Sequence, residues 1–222
     1  MKSQAWVGLD VGTTSSKAVA YDRDGTALAQ GRAVTPWQLT DGGAQADPGD
    51  LLASALTALA ALDGNLPGEV EIAGVGVTSM GEVGVLTGRD GRVLAPAIAW
   101  HDTRDDLEVE LLRREIGADR FGMRAGKPLR GQFSLTKHRW LRTHVPTVSD
   151  AVRRYNVADW VVRALSGAEV CDRTLACRTG WFDLSTVDWW DEALDWSGAS
   201  RDLMPELVDA GAALGRRPRV RA

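Results

Sequence analysis

Residues 9–22 read LDVGTTSSKAVAYD. The stretch closes one apolar run (residues 5–11, AWVGLDV), turns through Gly-Thr-Thr-Ser-Ser and opens a second run (residues 17–22, KAVAYD). Apolar runs this short, bounded by turn residues, are expected as strands rather than helices. Working outward, Asp22-Arg23-Asp24-Gly25 leads into TALAQGRAV at residues 26–34. An Asp-Gly pair between apolar runs signals a hairpin, because glycine takes positive φ without steric cost. The first three strands are therefore expected to form an antiparallel meander.

Further along, Asp47-Pro48-Gly49-Asp50 opens a helix to about Leu62, with proline near its start. Residues 70–79 (VEIAGVGVTS) read as a strand buried on both faces. A second hairpin is expected from GVL, Thr87-Gly88-Arg89-Asp90-Gly91 and RVL, then a buried strand at Pro96–Trp100. Asp102 and Thr103 can cap a helix through DDLEVELLRREIG that Gly117 ends. On it, Asp105, Asp106, Glu108 and Glu110 read as a solvated face. Helices are expected at about 133–144, 157–166 and 188–210, with a short strand and turn near 169–184. This order requires antiparallel and parallel pairings in one sheet covered by helices, an α/β fold over residues 1–222 as a single domain.

Composition narrows the function. With 26 Lys plus Arg against 30 Asp plus Glu, the net charge of -4 carries no basic excess for a nucleic-acid backbone. The 44% apolar content supports a folded core, which excludes disorder. No apolar run approaches the length of roughly 18 residues that spans a membrane, and MKSQAWVGLD lacks a signal-peptide pattern, so a soluble cytoplasmic protein is expected. Cys171 and Cys177 have neither redox nor zinc spacing and read as reduced thiols; His101, His138 and His144 have no metal-site spacing. Nine tryptophans supply core, and in a cleft they also supply faces for sugars. Arg216-Arg217-Pro218-Arg219 reads as a loop.

Nucleotide fingerprints fail elsewhere. Gly126-Lys127 is followed by Pro128 and has no glycine five residues earlier; Gly74-x-Gly76 has Ser79 in place of the third glycine. The turn at residues 10–17 has the parts for a polyphosphate. Gly12 lets backbone approach closely, Thr13, Thr14 and Ser15 offer hydroxyls and amides, Lys17 offers a point charge, and Asp10 could hold hydrated Mg²⁺. An ordinary polar hairpin has the same pattern, and on the motif alone both readings stand.

The company of this turn resembles one family throughout. LDVGTTSSKAVAYD is followed in order by Gln45-Ala46-Asp47-Pro48, Gly74-Val75-Gly76-Val77-Thr78 and Pro96-Ala97-Ile98-Ala99-Trp100-His101-Asp102-Thr103-Arg104. Then come Phe133-Ser134-Leu135-Thr136-Lys137, Trp140-Leu141, Ala158-Asp159-Trp160-Val161 and Arg178-Thr179-Gly180-Trp181-Phe182-Asp183. The chain resembles the N-terminal lobe of the FGGY-family carbohydrate kinases, within the actin-like ATPase (ribonuclease H-like) superfamily. That resemblance implies transfer of the γ-phosphoryl group of ATP to a sugar or polyol hydroxyl. It implies Asp10 near Mg²⁺, and Gly12, Thr13, Thr14, Ser15 and Lys17 at the ATP phosphates. It further implies an acceptor cleft lined by Met80, Gly81, Glu82, Trp100, His101, Asp102 and Gln132.

The match departs from the family pattern where substrate is chosen. Xylulose kinases have Met-His and glycerol kinases Arg-Glu where this chain has Met80-Gly81-Glu82, and Gln132 stands where glycerol kinases have Tyr. The acceptor stays open. No Gly-Gly-x-Asp-like loop for a catalytic carboxylate occurs before Ala222. By the resemblance, that base, the adenosine pocket and a C-terminal lobe are missing partners of this chain, and the chain alone is expected to be inactive; a homodimer is compatible with the family. The competing reading is a stand-alone actin-like module that binds sugar or phosphate without transfer.

Overall fold

The computed structural model describes residues 3–215. The basic stretch at residues 216–219 lies outside the described residues. Strands β1 (Ser3–Val11), β2 (Ser15–Tyr21) and β3 (Ala27–Val34) form the expected meander. Gly25 takes φ 80° in the second turn, and Asp22 Oδ1 accepts the amides of Asp24 and Thr26. A short hairpin, β4 (Gln38–Thr40) and β5 (Gly43–Ala46), leads to helix α1 (Pro48–Asn65). Asp47 caps α1 through the Gly49 amide, as Asp-Pro at a helix start predicts.

Period-two alternation decides which face of the sheet is core. Ala5, Val7, Leu9, Val11, Ala18 and Ala20 are buried on one side, where Leu51, Ala55, Ala58 and Leu62 of α1 present a helical stripe to them. Gly31 permits this approach, since a Cβ there would lie 2.1 Å from the Ala58 carbonyl oxygen. Strand β6 (Val70–Ser79) pairs parallel with β1, giving the order β3-β2-β1-β6. The expectation of a strand buried on both faces is corrected here. As an edge strand β6 is half-buried on one side and exposed on the other, because no further strand or layer covers it among the described residues.

Strand β7 (Gly84–Thr87) follows, and the turn at residues 88–91 forms, with Gly91 at φ 79°. Its second arm makes only a single bridge, Thr87 to Val93, before the chain leaves as β8 (Ala97–Ile98), which adds to β5. The buried strand expected at Pro96–Trp100 thus shrinks to two residues, and Trp100 stands in the following turn. Helix α2 (Asp106–Leu112) passes through a π-helical turn (Arg113–Gly117) into α3 (Ala118–Ala125), which sequence periodicity did not reveal. Asp102 and Thr103 do not cap α2 with their side chains; Asp102 is taken by Arg104, and only the Thr103 carbonyl meets the Asp106 amide.

Helix α4 (Ser134–His144), strand β9 (Arg153–Asn156) and helix α5 (Val157–Ser166) come next, with β9 pairing β7 across a wide sequence gap. Strand β10 (Val170–Asp172), helix α6 (Arg173–Ala176), the β11 (Phe182–Asp183) and β12 (Asp188–Trp189) pair, helix α7 (Asp191–Ser197) and strand β13 (Glu206–Val208) complete the path. The long helix expected over 188–210 is therefore corrected to one of seven residues. Gly198 at φ 73° ends it, and Pro205 bars its resumption. These segments enclose a second core around Phe121, Phe133, Leu135, Trp181, Trp189 and Trp190. Cys171 and Cys177 are both free thiols. Among the described residues no helix is long and apolar enough to cross a membrane.

Candidate functional site

The turn between β1 and β2 is held from behind. Thr35 donates its hydroxyl to the Gly12 carbonyl at 2.7 Å and its amide to the Thr14 carbonyl at 3.1 Å, while the Trp37 indole N–H donates to the Thr13 carbonyl at 2.7 Å. The buried Ser16 hydroxyl meets Ser54 of α1 at 2.8 Å. With its carbonyls drawn to one side, the turn leaves the amides of Thr13 and Thr14 without an acceptor among the described residues. Unpaired amides presented in a row form a concavity for anions. Gly12 is the natural residue at its bend, since a Cβ would lie 3.2 Å from the Ser15 carbonyl oxygen.

Asp10 and Lys17 are register partners on the exposed face of the sheet, so one carboxylate and one ammonium stand beside those amides. The donor set fits a Mg²⁺ polyphosphate. Among the described residues no group of three or more His, Cys, Asp or Glu could hold a metal by itself. A hydrated Mg²⁺ needs only one or two carboxylates beside phosphate oxygens, and Asp10 could supply one. Ser15 is less free, because its hydroxyl accepts from Arg32 Nε at 2.9 Å.

A second group lies next to the turn because the Met80 amide donates to the Val11 carbonyl at 2.9 Å. That bond sets Gly81 and Glu82 at the end of β1. Glu82 has φ 62° and is buried, an unusual backbone conformation that costs about 1–3 kcal/mol and persists where surroundings enforce it. Arg178 Nη2 lies 2.7 Å from Glu82 Oε1, and Gln132 Nε2 lies 3.5 Å from the same oxygen. Burial raises the Glu82 carboxyl above its ordinary range, against the pull of Arg178.

Trp100 joins the two groups. Its half-exposed indole donates from Nε1 to the Thr13 hydroxyl at 3.3 Å, and the exposed His101 ring meets it edge-on at 5.1 Å. The structure therefore brings Gly12–Thr14, Met80–Glu82, Trp100, His101 and Gln132 to one surface. Asp102 stands apart. It is fully buried, with Oδ1 held by Arg104 Nε at 2.8 Å and Oδ2 by Arg104 Nη2 at 2.9 Å and by the Thr40 hydroxyl at 3.3 Å. Burial would raise its carboxyl, but the Arg104 bonds outweigh that and hold it below the usual range. Both oxygens are thus spent on bracing the turn that carries Trp100 against the β4–β5 hairpin.

Two contributions escaped sequence reasoning. Asp105 and Glu108, expected on a solvated face, are buried, whereas Asp106 and Glu110 are exposed. Asp105 pairs with the buried Lys137 Nζ at 3.0 Å, and the same Nζ donates to the Gly131 carbonyl at 2.7 Å. This ion pair fixes Gln132 relative to the Trp100 turn. The correct signal was Lys137 itself, a lysine on the apolar side of α4, which needs a carboxylate partner to be buried. Arg178 was read only as part of a matching run, and nothing local in the sequence points it at Glu82.

Comparison with known proteins shows the family and the fold. Residues 5–219 match the FGGY family of carbohydrate kinases, N-terminal domain, and the chain belongs to that family. It is 33% identical to a glycerol kinase of Methylorubrum extorquens, covering 93% of this chain and 44% of that protein. It is 34% identical to a glycerol kinase of Rhizorhabdus wittichii, covering 90% of this chain and 42% of that protein. Among solved structures, xylulose kinase from Rhodospirillum rubrum superposes with a TM-score of 0.91 at 28% identity, over 96% of this chain and 44% of that one. Gluconate kinase from Lactobacillus acidophilus superposes with a TM-score of 0.90 at 25% identity, over 98% and 44%. The fold is thus the actin-like one of these sugar kinases, and the chain spans less than half the length of the relatives it matches.

Proposed function

We propose that this FGGY-family domain supplies the phosphate-binding turn and most of the acceptor pocket of an ATP-dependent kinase of a small sugar or polyol. The observation that carries the proposal is the Trp100–Thr13 hydrogen bond of 3.3 Å, which sets an aromatic face beside a turn of unpaired amides, at the end of β1 where the Met80–Val11 bond holds the loop of the buried Glu82. Phosphoryl transfer demands little covalent chemistry from a protein; it demands that donor and acceptor be held together while charge on the transferring group is neutralised. Lys17 and the Thr13 and Thr14 amides would meet the β and γ phosphates of ATP, and Asp10 would hold Mg²⁺ through water. The metal, when bound, neutralises charge on the phosphate oxygens. Trp100 would cover the C–H face of the acceptor, while Glu82 and Gln132 accept and donate hydrogen bonds to its hydroxyls. Asp102 acts behind them as a positioning residue.

The test is Lys17→Ala in the full-length protein that carries this domain. Turnover should fall about a hundredfold or more at saturating ATP and Mg²⁺, with acceptor binding nearly unchanged, because a preorganised charge acts on the transition state. Near wild-type turnover would remove the turn from the phosphates. The isolated 222-residue chain should give no acceptor-dependent ADP release beside the full-length protein, since closure around the transferring group requires a facing lobe.

A further inference from the structure

The loop that presents Glu82 is bare on one side, because Gly81 has no side chain to place over the acceptor. That space is filled from a distant part of the chain. A Cβ at Gly81 would lie 3.5 Å from Arg178 Cβ and Cγ and 3.6 Å from its Nε, so the arginine stem lies along the glycine. Its Nη2 then reaches Glu82 Oε1 at 2.7 Å. The backbone behind it is locked: the Arg178 amide donates to the Leu175 carbonyl at 3.0 Å and the Leu135 amide to the Thr179 carbonyl at 3.1 Å. Gly180, at φ 87°, packs so closely that a Cβ would meet Leu135 Cδ2 at 2.3 Å. From behind, Lys127 Nζ donates to the Cys177 carbonyl at 3.0 Å.

This side chain is more than a counter-ion. A guanidinium has five N–H donors, and the Glu82 contact is the one side-chain interaction Arg178 makes among the described residues. Its side chain is 39% exposed while that of Glu82 is 7% exposed, so the arginine forms the solvent-facing half of the pair. The closest contacts of Arg178 and Gln132 both fall on Glu82 Oε1, and Oε2 is the second acceptor of the carboxylate. A carboxylate oxygen beside spare guanidinium donors matches a vicinal diol: one hydroxyl donates to Oε2, and the oxygen of its neighbour accepts from the guanidinium.

We propose that Arg178 is a specificity-determining residue of the acceptor pocket, binding a vicinal diol together with Glu82 and occupying the space that Gly81 leaves open. This rests on the kinase reading above.

The experiment uses the full-length protein with glycerol, D-xylulose and D-gluconate as acceptors, and reads KM and kcat for acceptor and ATP together with the melting temperature. Arg178→Ala should raise the KM of the preferred acceptor about ten- to a hundredfold, the loss expected for a charged hydrogen bond, and leave the KM of ATP unchanged. Gly81→Arg alone should also weaken the acceptor, by crowding. The double variant Gly81→Arg/Arg178→Ala should recover most of the loss or change which acceptor is preferred. Unchanged acceptor KM in Arg178→Ala overturns the proposal, as does a loss of melting temperature with equal effects on both substrates and no recovery in the double variant. If the wild-type protein transfers phosphate to none of these three and to no other member of a panel of polyols, ketoses and aldonates, the kinase reading fails and this inference fails with it.

Discussion

Replacing His138 by leucine should make the protein less sensitive to acid. His138 lies on the buried side of α4, beside a cavity of about 20 Å³ that is also lined by Glu82, Ser134, Arg154 and Trp181. Neither of its ring nitrogens has a hydrogen-bond partner among the described residues, and it meets Trp181 edge-on at 5.6 Å. Burial, reinforced by the charges of Arg154 and Arg142, pushes its pKa down to about 3. A histidine whose folded pKa is depressed contributes stability that is present above its unfolded value, near 6.5, and lost as pH falls toward the folded value. Between pH 7 and pH 5 that loss amounts to about 2 kcal/mol, since each pH step below the unfolded pKa costs about 1.4 kcal/mol. Asp159 works in the opposite sense. Burial raises its carboxyl to about 6, so its contribution falls as pH rises from about 4 to 6.

The wild-type pH profile alone would therefore mix the two, and the difference between wild type and His138→Leu isolates the histidine. At pH 7 the variant loses an aromatic contact worth about 0.5–1.5 kcal/mol but removes two unpartnered nitrogens whose burial costs about 1–3 kcal/mol, so it should be at least as stable. Urea denaturation followed by tryptophan fluorescence at both pH values is the assay. The variant's advantage should grow by about 2 kcal/mol at pH 5. An advantage that is the same at both pH values would refute the reasoning.

Lys137→Met should destabilise the protein by about 3–5 kcal/mol, because it leaves the buried Asp105 carboxylate unpaired, and Asp105→Asn in addition should restore part of that loss in thermal unfolding. Residual folded Lys137→Met protein in its full-length form should show a raised acceptor KM, since Gln132 loses its anchor through Gly131; an unchanged KM would separate the ion pair from the pocket. Gly180→Ala should cost more than about 2 kcal/mol by chemical denaturation, from a strained φ of 87° together with a 2.3 Å clash against Leu135, and a silent substitution would show that this segment can shift.

What the sequence determined by itself is local or periodic. The meander follows from alternation and an Asp-Gly turn, the start of α1 from Asp47-Pro48, and the bend between β1 and β2, proposed above to meet phosphate, from its Gly-Thr-Thr-Ser run. What the tertiary structure alone decided depends on which segment arrives at a given surface. Edge placement exposes β6, although its composition reads as central, and the partner of β7 is β9 rather than its neighbour in sequence. Asp102 and Asp105 look alike as acidic residues before a helix, yet one braces a turn through Arg104 and the other pairs with Lys137 inside the core. Arg178 is the clearest case. Its stem lies on Gly81, nearly a hundred residues earlier in the chain, and burial energy is paid according to the surroundings a side chain meets, which no local pattern encodes.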